Sequence, residues 1–253
     1  MVRDQWHAFF NSWVFFTRLP APRGVRFNDR YLNLGSRYFS WVGVLLGLML
    51  AAVYSLGALW WPPAVATAVA LGVSLLLTGA FHEDGLADLF DGFGGGFTRD
   101  RVLAIMKDSR LGTYGAAALF ITVVLRWQVL TELLTRDVSA WLLLPFIHGW
   151  SRFWAISTLW TLPYADSQQA SKSKPLAQAF GPAASLVAFV PLLGLLPFLP
   201  LEMLAAATLM ALCVRTVLVR WFKRRIQGYT GDCLGGAQQL QEVTVLLVWL
   251  AVA

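Results

Sequence analysis

Long apolar stretches separated by short polar segments limit what this chain can fold into. An α-helix needs about 20 predominantly apolar residues to cross a bilayer. We place such stretches at about 38–59, 63–81, 114–134, 140–160, 180–199 and 203–220, with a shorter seventh from about 243 to the end. Charged residues make up only 13% of the chain, about half their share in a typical soluble domain. The sequence therefore predicts an all-α, polytopic integral membrane protein with about seven transmembrane helices, forming one domain over residues 1–253.

Cationic side chains are concentrated in alternate polar segments. The N-terminal segment carries six Lys or Arg, the 82–113 segment four, 161–178 two and 215–239 five, whereas the segments near 60, 136 and 201 contribute only Arg136. Cytoplasmic loops of membrane proteins carry this excess, so we expect the N-terminus and the cation-rich segments on the cytoplasmic side. The net charge of +6 therefore indicates topology, and no nucleic-acid partner is expected.

The first 35 residues are amphipathic and basic. A run of aromatic residues that includes Phe9 and Trp13 lies between Arg3 and Arg18, and further arginines follow. We expect it to lie on an anionic leaflet of the lipid bilayer before the first span. Contact of Arg18, Arg23 or Arg30 with a substrate is the alternative.

The 82–113 segment is predicted to be the active-site loop. It contains six of the fourteen acidic residues, namely Glu83, Asp84, Asp88, Asp91, Asp100 and Asp108. On a helix, Asp84, Asp88 and Asp91 would share an arc of about 60°, because each residue advances about 100°. Like charges at that spacing repel, so the three carboxylates predict a bound cation, and Mg²⁺ prefers such oxygen ligands. A solvated acidic face is the alternative.

Glycines and cations follow the acidic residues. Gly92, Gly94, Gly95 and Gly96 are expected to break the helix and leave backbone N–H groups open to an anion, with a flexible turn as the alternative. Downstream, Lys107 and Arg110 lie one helical turn apart and are the kind of cations that bind phosphate. The pattern predicts a phosphate site next to the metal site.

Other polar residues are candidates for the same site or for structural roles. Asp232 lies in a glycine-bounded turn on the same predicted side of the membrane, where it could complete the metal site, with an ordinary turn as the alternative. Ionisable residues within the predicted spans need a partner or water, and Arg126, Glu132, His148 and Arg152 are among them. For His148 an interhelical hydrogen bond is favoured. For Arg152, phosphate binding and structural pairing stay open.

The chain resembles the cobalamin synthase family, the adenosylcobinamide-GDP ribazoletransferases. The resemblance extends along essentially the whole chain. Its motifs are His82-x-Asp84-Gly85-Leu86-Ala87-Asp88-x-x-Asp91-Gly92-x-Gly94-Gly95, then Met106-Lys107-Asp108-Ser109-Arg110-x-Gly112, and Thr230-Gly231-Asp232-x-Leu234-Gly235.

This resemblance implies a Mg²⁺-dependent, multi-pass enzyme of the bacterial inner membrane whose active site faces the cytoplasm. Its substrates would be adenosylcobinamide-GDP and α-ribazole or α-ribazole 5′-phosphate, with GMP released. Asp84, Asp88 and Asp91 would bind metal, and Asp108 or Asp232 would be a further ligand or the base. Lys107 and Arg110 would hold phosphate. A homo-oligomer or a biosynthetic complex is compatible with this assignment.

Two other classes of membrane protein place acidic residues in helices. CDP-alcohol phosphotransferases have spaced Asp beside Gly, but their usual pattern puts Arg after D-G-x-x-A, where this chain has Asp88. Cation transporters place acidic residues at mid-membrane, whereas here the acidic residues cluster at the end of a span. The sequence therefore favours the transferase over both alternatives.

Overall fold

The protein is built from α-helices arranged around a buried central helix. The computed structural model describes residues 2–136, 138–165 and 180–252. The helices are α1 (Val2–Phe16), α2 (Asp29–Gly35), α3 (Phe39–Gly57), α4 (Pro63–Thr78), α5 (Phe81–Gly95), α6 (Arg99–Met106), α7 (Thr113–Thr135), α8 (Ala140–Ile156), α9 (Pro182–Leu193), α10 (Leu201–Ile226) and α11 (Gly231–Val252). Within the described ranges, β-type pairing is limited to an isolated bridge between Tyr164 and Tyr229. The all-α prediction is confirmed.

Fewer helices than predicted are long and apolar enough to cross a membrane. In the described part of the chain three meet this requirement, namely the helical stretch Asp29–Gly57, α7 and α10. A fourth is counted if α4 and α5 form one span, although the chain bends by 86° between them. The protein is therefore a polytopic membrane protein, but the predicted count of seven spans is not confirmed.

The stretch predicted to span at 140–160 forms the central helix of the fold. α8 has 17 residues, and 15 of them are buried against other helices. A helix that is apolar on all sides suits a protein core as well as a membrane, so composition does not separate the two. α3 packs closely along α8 because Gly43 and Gly47 place no side chain between the two backbones. The stretch predicted at 180–199 is also shorter than expected, since α9 has 12 residues.

A sharp corner separates α4 from α5. Gly79 (φ 66°) and Ala80 (φ 57°) both have left-handed backbone conformations, which end α4 and redirect the chain. A side chain at Gly79 would collide with the Arg18 guanidinium, while the backbone N–H of Arg18 donates to the Leu77 carbonyl oxygen (2.7 Å). Arg18, from the segment after α1, thus contacts the corner. Beyond the corner, α5 runs in a different direction from α4.

The two ends of the chain pack onto this helical body. α1 buries one face, and Gly35 allows α2 to approach it closely. Its position on a leaflet stays a prediction. At the other end α11 begins at Gly231 and has 22 residues, so the brief seventh stretch at 243 is the end of a longer helix. Most of the polar loop predicted at 161–178 lies outside the described residues.

Candidate active site

α5 places the predicted aspartates on one helical face. The helix runs through Asp84, Asp88 and Asp91 without interruption, which confirms the periodicity argument. Their environments differ along the helix, because Asp84 is exposed, Asp88 is half-buried and Asp91 is buried. The three carboxylates are therefore not equivalent.

Asp232 reaches the same face from α11. Gly85 of α5 and Gly235 of α11 face each other, and a Cβ atom built on Gly85 would lie only 3.1 Å from the Asp232 Cα atom. This close crossing exposes the Asp88 carboxylate to repulsion from Asp232, Asp84 and Asp91. Burial and, second, the Asp84 charge raise the pKa of Asp232, which lies outside the three spanning helices, to about 6. The predicted convergence of Asp232 with the α5 carboxylates is thus present in the fold.

Asp91 is bonded to backbone groups. Its Oδ2 atom accepts a hydrogen bond from the Gly112 N–H (2.7 Å), and its Oδ1 atom accepts one from the Gly115 N–H (2.8 Å). Gly112 is the N-cap of α7, so Asp91 satisfies N–H groups that have no partner within that helix. Each of its oxygens accepts one backbone hydrogen bond, and metal binding by Asp91 stays a prediction.

The carboxylates near Asp88 offer oxygen donors to a metal ion. Among the described residues, no group of three or more His, Cys, Asp or Glu side chains is arranged to hold a metal ion. Mg²⁺, however, commonly takes one or two carboxylates and completes its octahedron with water and substrate phosphate. The oxygen donors of Asp84 and Asp88 fit that smaller requirement, because they lie one helical turn apart on one face.

Only the last two of the four glycines after Asp91 end the helix as predicted. α5 continues through Gly92 and Gly94 and ends at Gly95, with Gly96 in an extended conformation, so the expected helix break is confirmed at Gly95 and Gly96 but is wrong for Gly92 and Gly94. Tertiary packing explains their presence, because a side chain at Gly92 would collide with Met106 and one at Gly94 with the Tyr114 ring. Contact of Gly94 and Gly95 with phosphate stays a prediction, but their N–H groups belong to a helix and not to an open loop.

The predicted phosphate-binding cations lie between α6 and α7. Lys107 caps α6 and is exposed. Arg110 is exposed as well and pairs with Asp108, with 2.6 Å between Nη2 and Oδ2. Hydrogen bonds from Arg110 lower the pKa of Asp108. Asp108 interacts with Arg110 and Arg101, whereas Asp88 feels Asp232, Asp84 and Asp91, so the structure does not group Asp108 with the other carboxylates.

Comparison with known proteins relates this site to a family. The family model of cobalamin-5-phosphate synthase matches residues 8–250. The chain belongs to the cobalamin-5-phosphate synthase family. An adenosylcobinamide-GDP ribazoletransferase of Shewanella sp. (strain W3-18-1) is 45% identical, with 99% of this chain and 97% of that protein covered. Proteins of the same name from Shewanella baltica (strain OS155), with 99% and 97% covered, and Shewanella pealeana, with 98% and 96% covered, are 44% identical. No solved structure is significantly similar.

In this member of the cobalamin-5-phosphate synthase family, a buried ionic network lies directly behind the acidic face. Arg126 of α7 contacts Glu83 of α5 (Nη1 to Oε1, 2.8 Å) and Glu242 of α11 (Nη2 to Oε1, 2.9 Å). Glu242 also contacts His148 Nδ1 of α8 at 3.3 Å. Gln239 donates to Glu83 Oε1 (3.1 Å). The network joins the two helices that carry Asp84, Asp88 and Asp232.

Arg152 belongs to this interior and not to the acidic face. It is 2% exposed, donates to the His148 carbonyl oxygen (3.0 Å) and lies over the Phe39 ring. These contacts are structural ones, and phosphate binding by Arg152 stays a prediction. Glu132, also expected to need a partner, pairs instead with Arg136 at the surface (3.0 Å).

Sequence reasoning missed Glu83 as part of the network. It counted Glu83 with the acidic cluster, although the side chain next to Asp84 points to the other side of α5. The available signal was the single Arg126 within a predicted span, which needed an acidic partner from another helix.

Proposed function

We propose that this protein is an adenosylcobinamide-GDP ribazoletransferase, which joins adenosylcobinamide-GDP to α-ribazole or α-ribazole 5′-phosphate and releases GMP. The relatives with this name match nearly the whole chain. The main structural support is the meeting of Asp84 and Asp88 with Asp232 at a glycine crossing of two helices. Transfer to an alcohol from an activated phosphate needs charge neutralisation and a base, and carboxylates serve both needs.

The proposed chemistry is an in-line displacement at phosphorus. A ribose hydroxyl of the ribazole attacks the pyrophosphate phosphorus that is attached to the corrinoid. A new P–O bond forms, the P–O bond to GMP breaks, and the hydroxyl proton passes to a carboxylate. We assign this proton to Asp232, because its pKa of about 6 lies near the operating pH of a general base. Asp108 is the weaker candidate, since Arg110 holds its carboxylate.

Asp84 and Asp88 are the residues we propose to hold Mg²⁺. When bound there, the ion would supply neutralisation of the pyrophosphate charge. The two carboxylates come from adjacent turns of one rigid helix, so their spacing is fixed before the substrate arrives. Lys107 and Arg110 are proposed to neutralise the remaining phosphate charge, which for Arg110 means exchanging Asp108 for a phosphate group.

We further propose that the enzyme lies in the bacterial inner membrane with this site facing the cytoplasm. Arg225 of α10 donates to the Gly96 carbonyl oxygen, and Arg99 of α6 donates to the Ile226 carbonyl oxygen (3.1 Å). The C-terminal end of α10 therefore lies beside the start of α6. This end carries a dense group of cations, the feature that marks cytoplasmic segments; they are Arg99, Arg101, Arg220, Lys223, Arg224 and Arg225.

Membranes containing the protein provide the direct test. Incubated with adenosylcobinamide-GDP, α-ribazole 5′-phosphate and Mg²⁺, they should form GMP and a cobalamin phosphate, both detected by chromatography. EDTA should stop the reaction, and membranes that lack the protein are the background control.

Two other outcomes would redirect the assignment. Transfer of a phosphoalcohol from CDP-diacylglycerol, without turnover of the corrinoid pair, would indicate the phosphotransferase class and keep the metal site. Movement of cations by reconstituted protein that turns over neither donor would rule out the catalytic proposal.

A further inference from the structure

We propose that Asp91 is a positioning residue that fixes segment 107–112 against the carboxylate helix and does not bind the metal. The contact of this segment with the substrate phosphate rests on the proposed function. Its structural part, the attachment of the segment to α5 through Asp91, stands independently of the reaction.

The hydrogen bonds of Asp91 are the first observation. Its two oxygens accept from Gly112 (2.7 Å) and Gly115 (2.8 Å), across more than twenty residues of chain. These donors sit at the positive end of the α7 dipole, which favours an ionised carboxylate there. A metal ion at Asp91 would have to share oxygens that each already accept a hydrogen bond. The arrangement therefore suits an anchor better than a metal ligand.

The two residues that donate to Asp91 are both glycines, which is a second observation in favour of an anchoring role. A Cβ atom on Gly112 or on Gly115 would collide with the Asp91 carboxylate. The start of α7 is thus shaped to receive this carboxylate at close range. Neither glycine has a positive φ, so their small size rather than backbone freedom explains them.

The other end of the segment is also attached to α5. Gly92 accommodates Met106 and Gly96 accommodates Val102, where any side chain would collide. α6 is thereby packed against the end of α5, and segment 107–112 begins directly after it. Both ends of the segment are fixed on one helix.

This double attachment determines where the segment's cations lie. Asp91 is one helical turn from Asp88, so the Gly112 end of the segment is tied to α5 one turn from the proposed metal pair. Lys107 and Arg110 are both on this segment. Asp91 would thus act on the reaction through them, by holding them where the activated phosphate binds.

Asp91→Asn tests the role directly, because the amide keeps the shape but can accept only with one atom. In purified full-length protein we expect faster hydrogen exchange at residues 112–116. We also expect KM for adenosylcobinamide-GDP to rise about 10-fold, as for loss of a helix cap, with kcat within about 3-fold. Mn²⁺ affinity, measured by electron paramagnetic resonance, should stay within about 2-fold of wild type, whereas Asp84→Asn should lose at least about 10-fold.

Gly115→Ala disturbs the same contact with every carboxylate intact. It should reproduce the faster hydrogen exchange and the raised KM of Asp91→Asn. If Asp91→Asn does not fold, Gly115→Ala still tests the proposal. Gly72→Ala is the matched control, since it is also a helical glycine but has open space around it. This control should match wild type in all measurements.

Each contrary result has a distinct meaning. Loss of Mn²⁺ affinity in Asp91→Asn as large as in Asp84→Asn would overturn the proposal and restore Asp91 as a ligand. Unchanged exchange at 112–116 in both variants would equally overturn it. If wild-type protein makes no GMP from the corrinoid pair, the proposed function fails, while exchange and Mn²⁺ binding still decide the role of Asp91.

Discussion

Single residues on one face of α5 have different chemical surroundings. Asp84 is exposed, Asp88 is half-buried among three other carboxylates, and Asp91 accepts two backbone hydrogen bonds. The N–H groups at the start of α7 relieve charge repulsion at Asp91, whereas Asp88 lies near three other carboxylates and Asp84 is exposed. A cation is therefore proposed at the outer pair.

Asn substitutions at Asp84 and Asp88 test that pair. Each change removes one negative charge while keeping the side-chain shape. We expect the Mg²⁺ concentration for half-maximal activity to rise at least about 10-fold in each variant, by analogy with losses of about 10- to 100-fold around metal sites. Asp100→Asn is the control, because Asp100 is exposed on α6. Normal Mg²⁺ dependence in both site variants would contradict the assignment.

The raised pKa of Asp232 predicts a pH dependence. Its pKa of about 6, against an ordinary value of 3.8, means that the carboxylate needed as a base is lost as the pH falls through 6. We expect kcat/KM at non-saturating Mg²⁺ to fall about 10-fold per pH unit below that point and to level off above it, because saturating Mg²⁺ would neutralise Asp84 and move this limb to lower pH. The pH profile of wild-type protein measures this limb. A limb near the ordinary value would show that Asp232 is not the base.

At the scale of helices, the site depends on one close crossing. Gly85 and Gly235 bring the backbones of α5 and α11 together, and this proximity places Asp232 beside the α5 carboxylates. Behind the crossing, Arg126 bridges Glu83 and Glu242 and so connects both helices to α7. The crossing sets the distance between the helices, and the network resists their sliding.

Gly85→Leu should separate the two helices. The new side chain would press on the α11 backbone, and overpacking typically costs about 1–3 kcal/mol. We expect a lower thermal midpoint in detergent together with loss of GMP formation. Gly72→Leu, which adds the same side chain to an open helical position, should leave both unchanged. Full activity in Gly85→Leu would contradict the role of the crossing.

Two Arg–Glu pairs allow a matched test of the network. Glu242→Gln removes one of the two carboxylates that pair with buried Arg126. Breaking a buried ion pair typically lowers the free energy of unfolding by about 3–5 kcal/mol. Glu132→Gln removes the surface partner of Arg136, where the expected cost is about 0–1 kcal/mol. Denaturant unfolding in micelles should therefore separate the two variants clearly. Equal stability would show that the network does not hold the helices.

At the scale of the whole molecule, charge is segregated along the direction of the spans. α10 extends from Leu201 at one end to the cationic turn before Gln227 at the other. The start of α6 is tied to that cationic end through Arg99. The proposed site and the cations thus share one side of the protein.

Cysteine labelling tests this orientation. In a variant without Cys213 and Cys233, single cysteines at exposed Ser109 and Gln227 should react only from the cytoplasmic side, because their ends carry the cations. A cysteine at exposed Leu201 should react from the periplasmic side. Reaction of Gln227→Cys with an impermeant reagent in intact cells would reverse the topology.

The sequence predicted the features that depend on local periodicity and composition. These include the all-α membrane class and the shared face of Asp84 and Asp88. It did not predict features that depend on packing between distant segments. The 140–160 stretch has the composition of a span but is enclosed by other helices. Gly92 and Gly94 are weak helix formers, yet contacts with Met106 and Tyr114 require small residues inside a helix.

The position of α11 at the end of the chain has a consequence for the order of synthesis. Asp232, Gln239 and Glu242 are all made well over a hundred residues after the aspartates of α5. Until they emerge from the ribosome, Arg126 lacks its second acidic partner and Asp84 lacks the facing carboxylate. A nascent chain that has not reached Asp232 thus carries only the α5 part of the proposed site. The facing carboxylate is added only when α11 has been synthesised.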